Sequence, residues 1–253
     1  LKNTVHHNLE NDVHLRSIYI HPEKFPTVDH YPFNLEIFHQ TKSLALNTPI
    51  TFLIGENGTG KTTLLKAIAY KCGIYIWKGM ERTRSINNPY EEDLYKAISI
   101  EWANELIPGS FFSSQHFRNF SQIVDEWTAL DPGIINYFGG KSLITQSHGQ
   151  SLMSYFRSRY KIKGIYFLDE PETALSPKSQ IELLQVLTQM SRQGHAQFII
   201  ATHSPILMAC PDSDIYSFDK KPVEKIDYEK TDYFLTYRDF ILNKEKYRAE
   251  LLK

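Results

Sequence analysis

Gly55-Glu56-Asn57-Gly58-Thr59-Gly60-Lys61-Thr62-Thr63 follows the pattern G-x-x-x-x-G-K-T, and its flanks decide the fold. Pro49 to Ile54 before it is apolar and β-rich, and Thr62 to Tyr70 after it has helical character. Strand, glycine-rich turn and helix in that order form a phosphate-binding loop. The glycines permit a tight backbone whose successive N–H groups, with the positive end of the helix, face an anion. Lys61 is expected to reach the β and γ oxygens of a nucleoside triphosphate, and the Thr62 hydroxyl to ligate Mg²⁺.

The same strand-then-helix rhythm recurs further along. Gly164 to Asp169 and Gln197 to Thr202 read as buried strands, and Pro177 opens a helix that runs to about Arg192. Alternation of this kind predicts a mostly parallel sheet with helices on its faces. A helix is expected from Gly149 to about Tyr160, and another over Phe120 to Leu130. Leu15 to Ile20 and Phe33 to Phe38 read as edge strands, Ile74 to Trp77 as β-like and Glu91 to Leu106 as a helix. Thr231 to Lys253 is expected to be a packed helix.

With 253 residues and 42% hydrophobic content, the chain can bury the core of one large α/β domain. The 28 basic and 29 acidic residues balance, so no global field draws nucleic acid or an anionic membrane. The apolar runs are too short to span a bilayer and no signal-peptide plan is visible, which predicts a cytoplasmic protein. Cys72 and Cys210 lack metal spacing and are expected to be reduced. His7, His14 and His21 recur every seventh residue without accompanying carboxylates, a pattern of solvated surface more than of a metal site.

Hydrolysis needs an acid to hold metal and a group to orient water. Ile165-Tyr166-Phe167-Leu168-Asp169-Glu170 supplies both at the carboxyl end of a strand. Asp169 is the expected Mg²⁺ ligand, directly or through water, and Glu170 the expected general base or orienting group. His203 follows the next apolar strand and can donate to a phosphate oxygen.

The order of these pieces resembles the ABC-type ATPase superfamily. The resemblance rests on the loop Gly55 to Thr63, Gln115 in Phe111-Phe112-Ser113-Ser114-Gln115, and Ser147-His148-Gly149-Gln150-Ser151. It also rests on Leu168-Asp169-Glu170-Pro171, Ala174-Leu175-Ser176-Pro177 and Ala201-Thr202-His203-Ser204-Pro205. It covers roughly residues 14 to 220. It implies an α/β P-loop NTPase of ABC-type head architecture, with a mostly parallel central sheet flanked by helices, antiparallel edge strands and a small helical signature lobe. The whole of 1–253 would be one domain, the lobe at about 78–160 being inserted between the phosphate loop and the Asp169-Glu170 strand.

By the same resemblance Gln115 touches Mg²⁺ and the lytic water, Ala174 to Pro177 is the D-loop, and His203 is the switch histidine. Ser147, Gly149 and Gln150 would be signature residues that bind the γ-phosphate held by a second copy, making ATP the glue of a two-fold dimer. A serine hydroxyl and free N–H groups at a helix start suit that role. His148 departs from the family pattern. Tyr31 is a candidate to stack on adenine, with core packing as the alternative.

About thirty residues separate Gln115 from Ser147, too few for a coiled-coil arm. Glu170-Pro171-Glu172 and Thr202-His203-Ser204-Pro205 resemble the SMC, RecF and overcoming-lysogeny branch, including small bacterial ATPases linked to phage defence. That resemblance implies an Mg-dependent ATP hydrolase that switches a separate effector, such as a nuclease. A nucleotide-gated binding module and a transporter motor are the alternatives. Arg82, Arg84, Arg118, Arg157, Arg159, Lys161 and Lys163 could contact nucleic acid or form a solvated face.

Overall fold

The computed structural model describes residues 13–77 and 88–251. His7, Arg82 and Arg84 lie outside the described residues. Strands β1 (Leu15–Ile20), β2 (Ser43–Ala45), β3 (Ile50–Ile54), β4 (Ile98–Trp102) and β5 (Gly109–Ser113) precede β6 (Gly164–Asp169), β7 (Ala196–Ala201), β8 (Asp214–Ser217) and β9 (Glu224–Lys225). Helices are α1 (Glu36–Gln40), α2 (Lys61–Lys71), α3 (Phe117–Leu130), α4 (His148–Arg159), α5 (Pro177–Arg192), α6 (Pro205–Met208), α7 (Asp232–Leu242) and α8 (Lys244–Leu251). The central sheet has the order β5-β6-β7-β3-β8-β9, parallel throughout except for β9. A second, antiparallel sheet runs β2-β1-β4.

Side-chain alternation along the central strands sets the position of the site. Ile165 and Phe167 of β6 join a core shared with α2 and the antiparallel sheet, whereas Tyr166 and Leu168 join the core beneath α4 and α5. Asp169 continues the Ile165 and Phe167 register, so its carboxylate falls on the α2 side. In β7, Ile199 and Ala201 face α2 and Phe198 and Ile200 face α5. Being covered on both faces, β3 and β7 are apolar at nearly every position, as buried parallel strands require.

Gln197 is the polar exception in β7, at 0% exposure. Its Oε1 accepts the N–H groups of His14 and Leu15 at 2.9 and 2.8 Å, and its Nε2 donates to the Leu15 carbonyl at 2.9 Å. The amide thus behaves as a piece of backbone that joins the two sheets. Leaving these groups unpaired would cost about 1–3 kcal/mol each.

Several expected elements take another form. Phe33 to Phe38 is a turn entering α1 rather than a strand; Phe33 and Phe38 are both buried, and the edge strand forms at Ser43–Ala45 instead. Glu91 to Leu106 is a 3₁₀ turn followed by β4, where Ile98, Ile100 and Trp102 alternate with polar residues at the period of a strand. Ile74 to Trp77 is extended but unpaired with either sheet. The aromatic run at Phe111 and Phe112 is β5, and among the described residues of the 78–160 interval the helices are α3, α4 and 3₁₀ segments at Asp93–Ala97 and Pro132–Phe138. The C-terminal stretch is two helices, and none of the side chains of α7 is fully buried.

Candidate active site

The phosphate loop leaves β3 at Gly55 and enters α2 at Gly60. Gly60 has φ +104°, and a Cβ there would lie 2.8 Å from Phe38 Cζ, so only glycine fits. Gly55, at φ +138°, would set a Cβ 3.0 Å from Asp219 Oδ1. That carboxylate accepts the Glu56 N–H at 2.7 Å and braces the loop from the end of β8. Thr59 Oγ1 donates to the Glu56 carbonyl at 2.9 Å, while Glu56, Asn57 and Gly58 are exposed at the tip.

Lys61 is 5% exposed, and its ammonium donates to the carbonyls of Gly55 and Glu56 at 2.5 and 2.8 Å. Burial lowers its pKa, and the carboxylates of Glu170, Asp219, Asp169 and Glu56 oppose that shift. A cation so enclosed is matched by acids on three strand ends. Tyr31, exposed beside the loop, shares a hydrogen bond with the Thr63 hydroxyl. It is therefore not a core residue.

Thr62 Oγ1 donates to Asp169 Oδ1 at 2.6 Å, bringing two hard oxygens together at the start of α2. Burial lifts the Asp169 carboxyl above its usual range, and the Thr62 hydrogen bond offsets part of that. A hydroxyl, a carboxylate and room for phosphate and water oxygens are the donor set Mg²⁺ takes in nucleotide sites, so these residues fit that ion. Among the described residues no group of three or more His, Cys, Asp or Glu could form an all-protein metal cage.

Glu170 has φ 47° and ψ 55°, one of two non-glycine residues with positive φ among the described residues. A β-to-left-handed step of this kind costs about 1–3 kcal/mol and concentrates at functional sites. Surroundings over-determine it: its N–H donates to the Ala201 carbonyl at 2.9 Å, and its carbonyl accepts from the hydroxyls of Ser114 and Thr173. The carboxylate swings to the loop side, 38% exposed, with Oε1 3.5 Å from His203 Nε2. That contact lacks hydrogen-bond geometry and is an ion pair only when the imidazole is protonated, and Nε2 has no hydrogen-bond partner.

His203 is held from three directions. Its backbone N–H donates to Glu172 Oε1 at 2.6 Å, and its Nδ1 meets the Tyr233 hydroxyl at 2.7 Å. Ser204 caps α6 and donates to Gln180 Oε1 at 2.6 Å, tying this turn to α5. Burial and the Lys61 ammonium push the imidazole below its ordinary pKa, against the pull of Glu170. Burial raises the Glu172 carboxyl.

Lys61, Thr62, Asp169, Glu170 and His203 therefore converge at the carboxyl edge of β3, β6 and β7, the expected ligand edge of an open α/β sheet. Gln115 sits in the exposed turn after β5, whose Ser113 is in register with Asp169. Ser147 is the N-cap of α4, and its N–H donates to Gln150 Oε1 at 3.2 Å. A Cβ on Gly149 would lie 3.7 Å from the Ala174 carbonyl, so this helix start borders the Ala174 to Pro177 turn. Among the described residues no hydrogen bond joins Ser147, Gly149 or Gln150 to the phosphate loop. Of the basic residues, Arg157 pairs with Glu182 at 3.2 Å, and Lys161 and Lys163 are exposed.

Two contributors escaped the sequence. Asp219 ends the strand beside β3, and strand order would have revealed it. Tyr233 comes from a helix with no motif of its own.

Residues 150–209 match the family model described as an AAA domain, putative AbiEii toxin, type IV TA system. A putative ABC transporter ATP-binding protein of Geobacter sulfurreducens is 24% identical over 163 residues, 60% of this chain and 58% of that protein. The achromobactin transport ATP-binding protein of Dickeya dadantii is 27% identical over 179 residues, 65% of this chain and 66% of its own length. The chain thus spans under two thirds of these relatives. Among solved structures, cbiO1 of Clostridium perfringens, part of an ABC transporter complex, superposes with a TM-score of 0.51 at 16% identity, covering 92% of this chain and 98% of its own. No helix among the described residues is long and apolar enough to cross a membrane. By these matches the chain resembles ABC-type P-loop ATPases, and its sheet, phosphate loop and strand-end acids form an ABC ATPase-like nucleotide-binding domain.

Proposed function

We propose that this protein is an Mg-dependent ATP hydrolase that dimerises around ATP and uses binding and hydrolysis to switch a separate effector. The observation that carries the reading is the placement of the Glu170 carboxylate. A left-handed backbone turns it toward Lys61 and His203, beside the Thr62 and Asp169 oxygens. Lys61 neutralises phosphate charge, and Thr62 with Asp169 would hold Mg²⁺, with Gln115 joining them from its turn. Mg²⁺ held there would supply neutralisation of phosphate charge. Glu170, open enough to meet water, orients it and takes its proton, and His203 steadies the transferring group.

The exposed start of α4 supports the dimer. Ser147 and Gly149 form an anion-ready helix end, and a second copy would bring its nucleotide there. Gln150 holds the Ser147 backbone in place for that contact. An effector in a defence system, a nuclease in the first instance, is supported by the family model's description as a putative toxin of a type IV TA system. A cytoplasmic site of action follows from the same reading. A transporter motor is the second reading, favoured by the transport names of the curated relatives.

Molar mass in solution with and without ATP and Mg²⁺, on wild type and Glu170→Gln, tests the proposal. A dimer that forms only with ATP and persists in the variant is expected. A constant mass would reject nucleotide-driven dimerisation and favour a nucleotide-gated module inside a permanent complex. Co-purification with a membrane-spanning partner would favour the transporter motor.

A further inference from the structure

Tyr233 of α7 hydrogen-bonds directly to groups at the reacting edge. Its hydroxyl lies 2.9 Å from the Gly55 carbonyl oxygen and 2.7 Å from His203 Nδ1. The Gly55 oxygen can only accept, and it already accepts from Lys61 Nζ at 2.5 Å. A phenol has one proton. Given to Gly55, it leaves the phenol oxygen as an acceptor, so the proton in the second contact comes from His203 Nδ1. Reversing both bonds would set the phenol oxygen against the carbonyl oxygen with no hydrogen between them. The ring contact between Tyr233 and His203, with centroids 5.5 Å apart and planes at 67°, fixes the imidazole's rotation as well.

We infer that Tyr233 is a positioning residue for ATP hydrolysis, clamping His203 to the first carbonyl of the phosphate loop and holding its ring in the Nδ1–H tautomer. The Nε2 lone pair then faces Glu170 and the site of reaction. A neutral ring so held accepts a hydrogen bond there. Phosphate charge beside Nε2 favours its protonation, and the imidazolium, still donating Nδ1–H to Tyr233, then donates Nε2–H to the transferring group. Burial beside Glu56, Asp219 and Glu172 raises the phenol's pKa and keeps its proton in place. The arrangement also links loop to switch: a shift of Gly55 on nucleotide binding is passed to His203 through one side chain. The inference rests on the hydrolase reading for its kinetics but not for the tautomer.

The test is ¹⁵N NMR of histidine-labelled protein at about pH 8, where a histidine of ordinary or lowered pKa is neutral. His203 is identified by the signal missing in His203→Ala. Wild type should show the Nδ1–H pattern, and Tyr233→Phe should lose it. Steady-state turnover should fall about tenfold in kcat in Tyr233→Phe, with KM for ATP within about twofold of wild type. Tyr237→Phe, on the same helix and lining the same groove but making no hydrogen bond to His203, serves as the control and should match wild type in both readouts.

An Nε2–H ring in wild type overturns the inference, and that measurement needs no variant to fold. Tyr233→Phe indistinguishable from Tyr237→Phe in tautomer and kcat also overturns it. If wild type turns over no ATP, the hydrolase reading fails while the ring's tautomer still decides the clamp.

Discussion

Two helix starts in this molecule present free N–H groups, and they differ in what surrounds them. The start of α2 is enclosed: Lys61 is buried, and Asp169, Glu170, Asp219, His203 and Tyr233 crowd its rim. The start of α4 lies at the surface, with Ser147 and Gln150 exposed and the Ala174 turn, Phe117 and the Arg157–Glu182 pair nearby. Helix dipole and N–H geometry are common to both. What distinguishes them is burial of charge: one start holds a buried cation among carboxylates, whereas beside the other Lys141 and Arg157 are exposed and Glu182 partly so. Under the proposed function, chemistry belongs to the first, and the second contributes as a donor to something brought to it.

The largest expected effect would break this division. Glu170→Gln should lower kcat by roughly 10² or more while ATP still binds, because a carboxylate that takes a proton is lost and shape is kept. Single-turnover hydrolysis beside a nucleotide-binding titration decides it. Unchanged turnover would remove Glu170, and with it the enclosed start, from the chemistry.

Next comes a paired glycine comparison. Gly60→Ala meets Phe38 at a positive φ and should destabilise the fold by about 1–3 kcal/mol. Gly149→Ala, with no positive φ and its Cβ in ordinary contact 3.7 Å from the Ala174 carbonyl, should stabilise by about 0.5–1 kcal/mol. Urea unfolding of both reads the contrast, and equal effects would mean the two starts are packed alike. Ser147→Ala should then lower turnover about tenfold without altering ATP affinity at low protein concentration. Mixed with Lys61→Ala, it should regain activity, since each variant supplies what the other lacks. Failure to complement would confine Ser147 to capping its own helix.

The smallest effect concerns pH. Burial raises the Glu172 carboxyl, so the folded state holds this proton more tightly than the unfolded chain. Its charging opposes folding: the penalty is absent below about pH 4.3, the usual glutamate value, and grows until pH passes the raised folded value. Glu172→Gln should flatten that part of the melting temperature's fall with pH. An unaltered slope would assign the dependence elsewhere.

Much of the enclosed start was legible because its residues sit beside period-two and glycine signals. The Gly55 to Thr63 turn, the Asp169-Glu170 strand end and His203 each follow an apolar strand, so their edge of the sheet was predictable. Other parts were not, for reasons of context. Glu91 to Leu106 carried helix formers in its first half, and β4 forms because β1 has an open edge for Ile98 and Ile100 to pair with. Asp219 needed the strand order, and Tyr233 needed the path of the chain after β9. The left-handed backbone of Glu170 has no sequence marker other than Pro171 after it.

Strand order can also be read as elapsed time. The loop is written at residues 55–63, yet β3 has β7 and β8 for neighbours, and Gln197 meets His14 across a separation of 183 residues. At ribosomal rates of about 5–20 residues per second, a span of that length takes roughly 10 to 40 s to emerge. The antiparallel sheet can close long before then, since β4 ends at Trp102. The nucleotide edge is thus assembled late from an early text. Through that interval β3 is an apolar strand without a partner, and it is the segment of this chain with most need of a chaperone's cover.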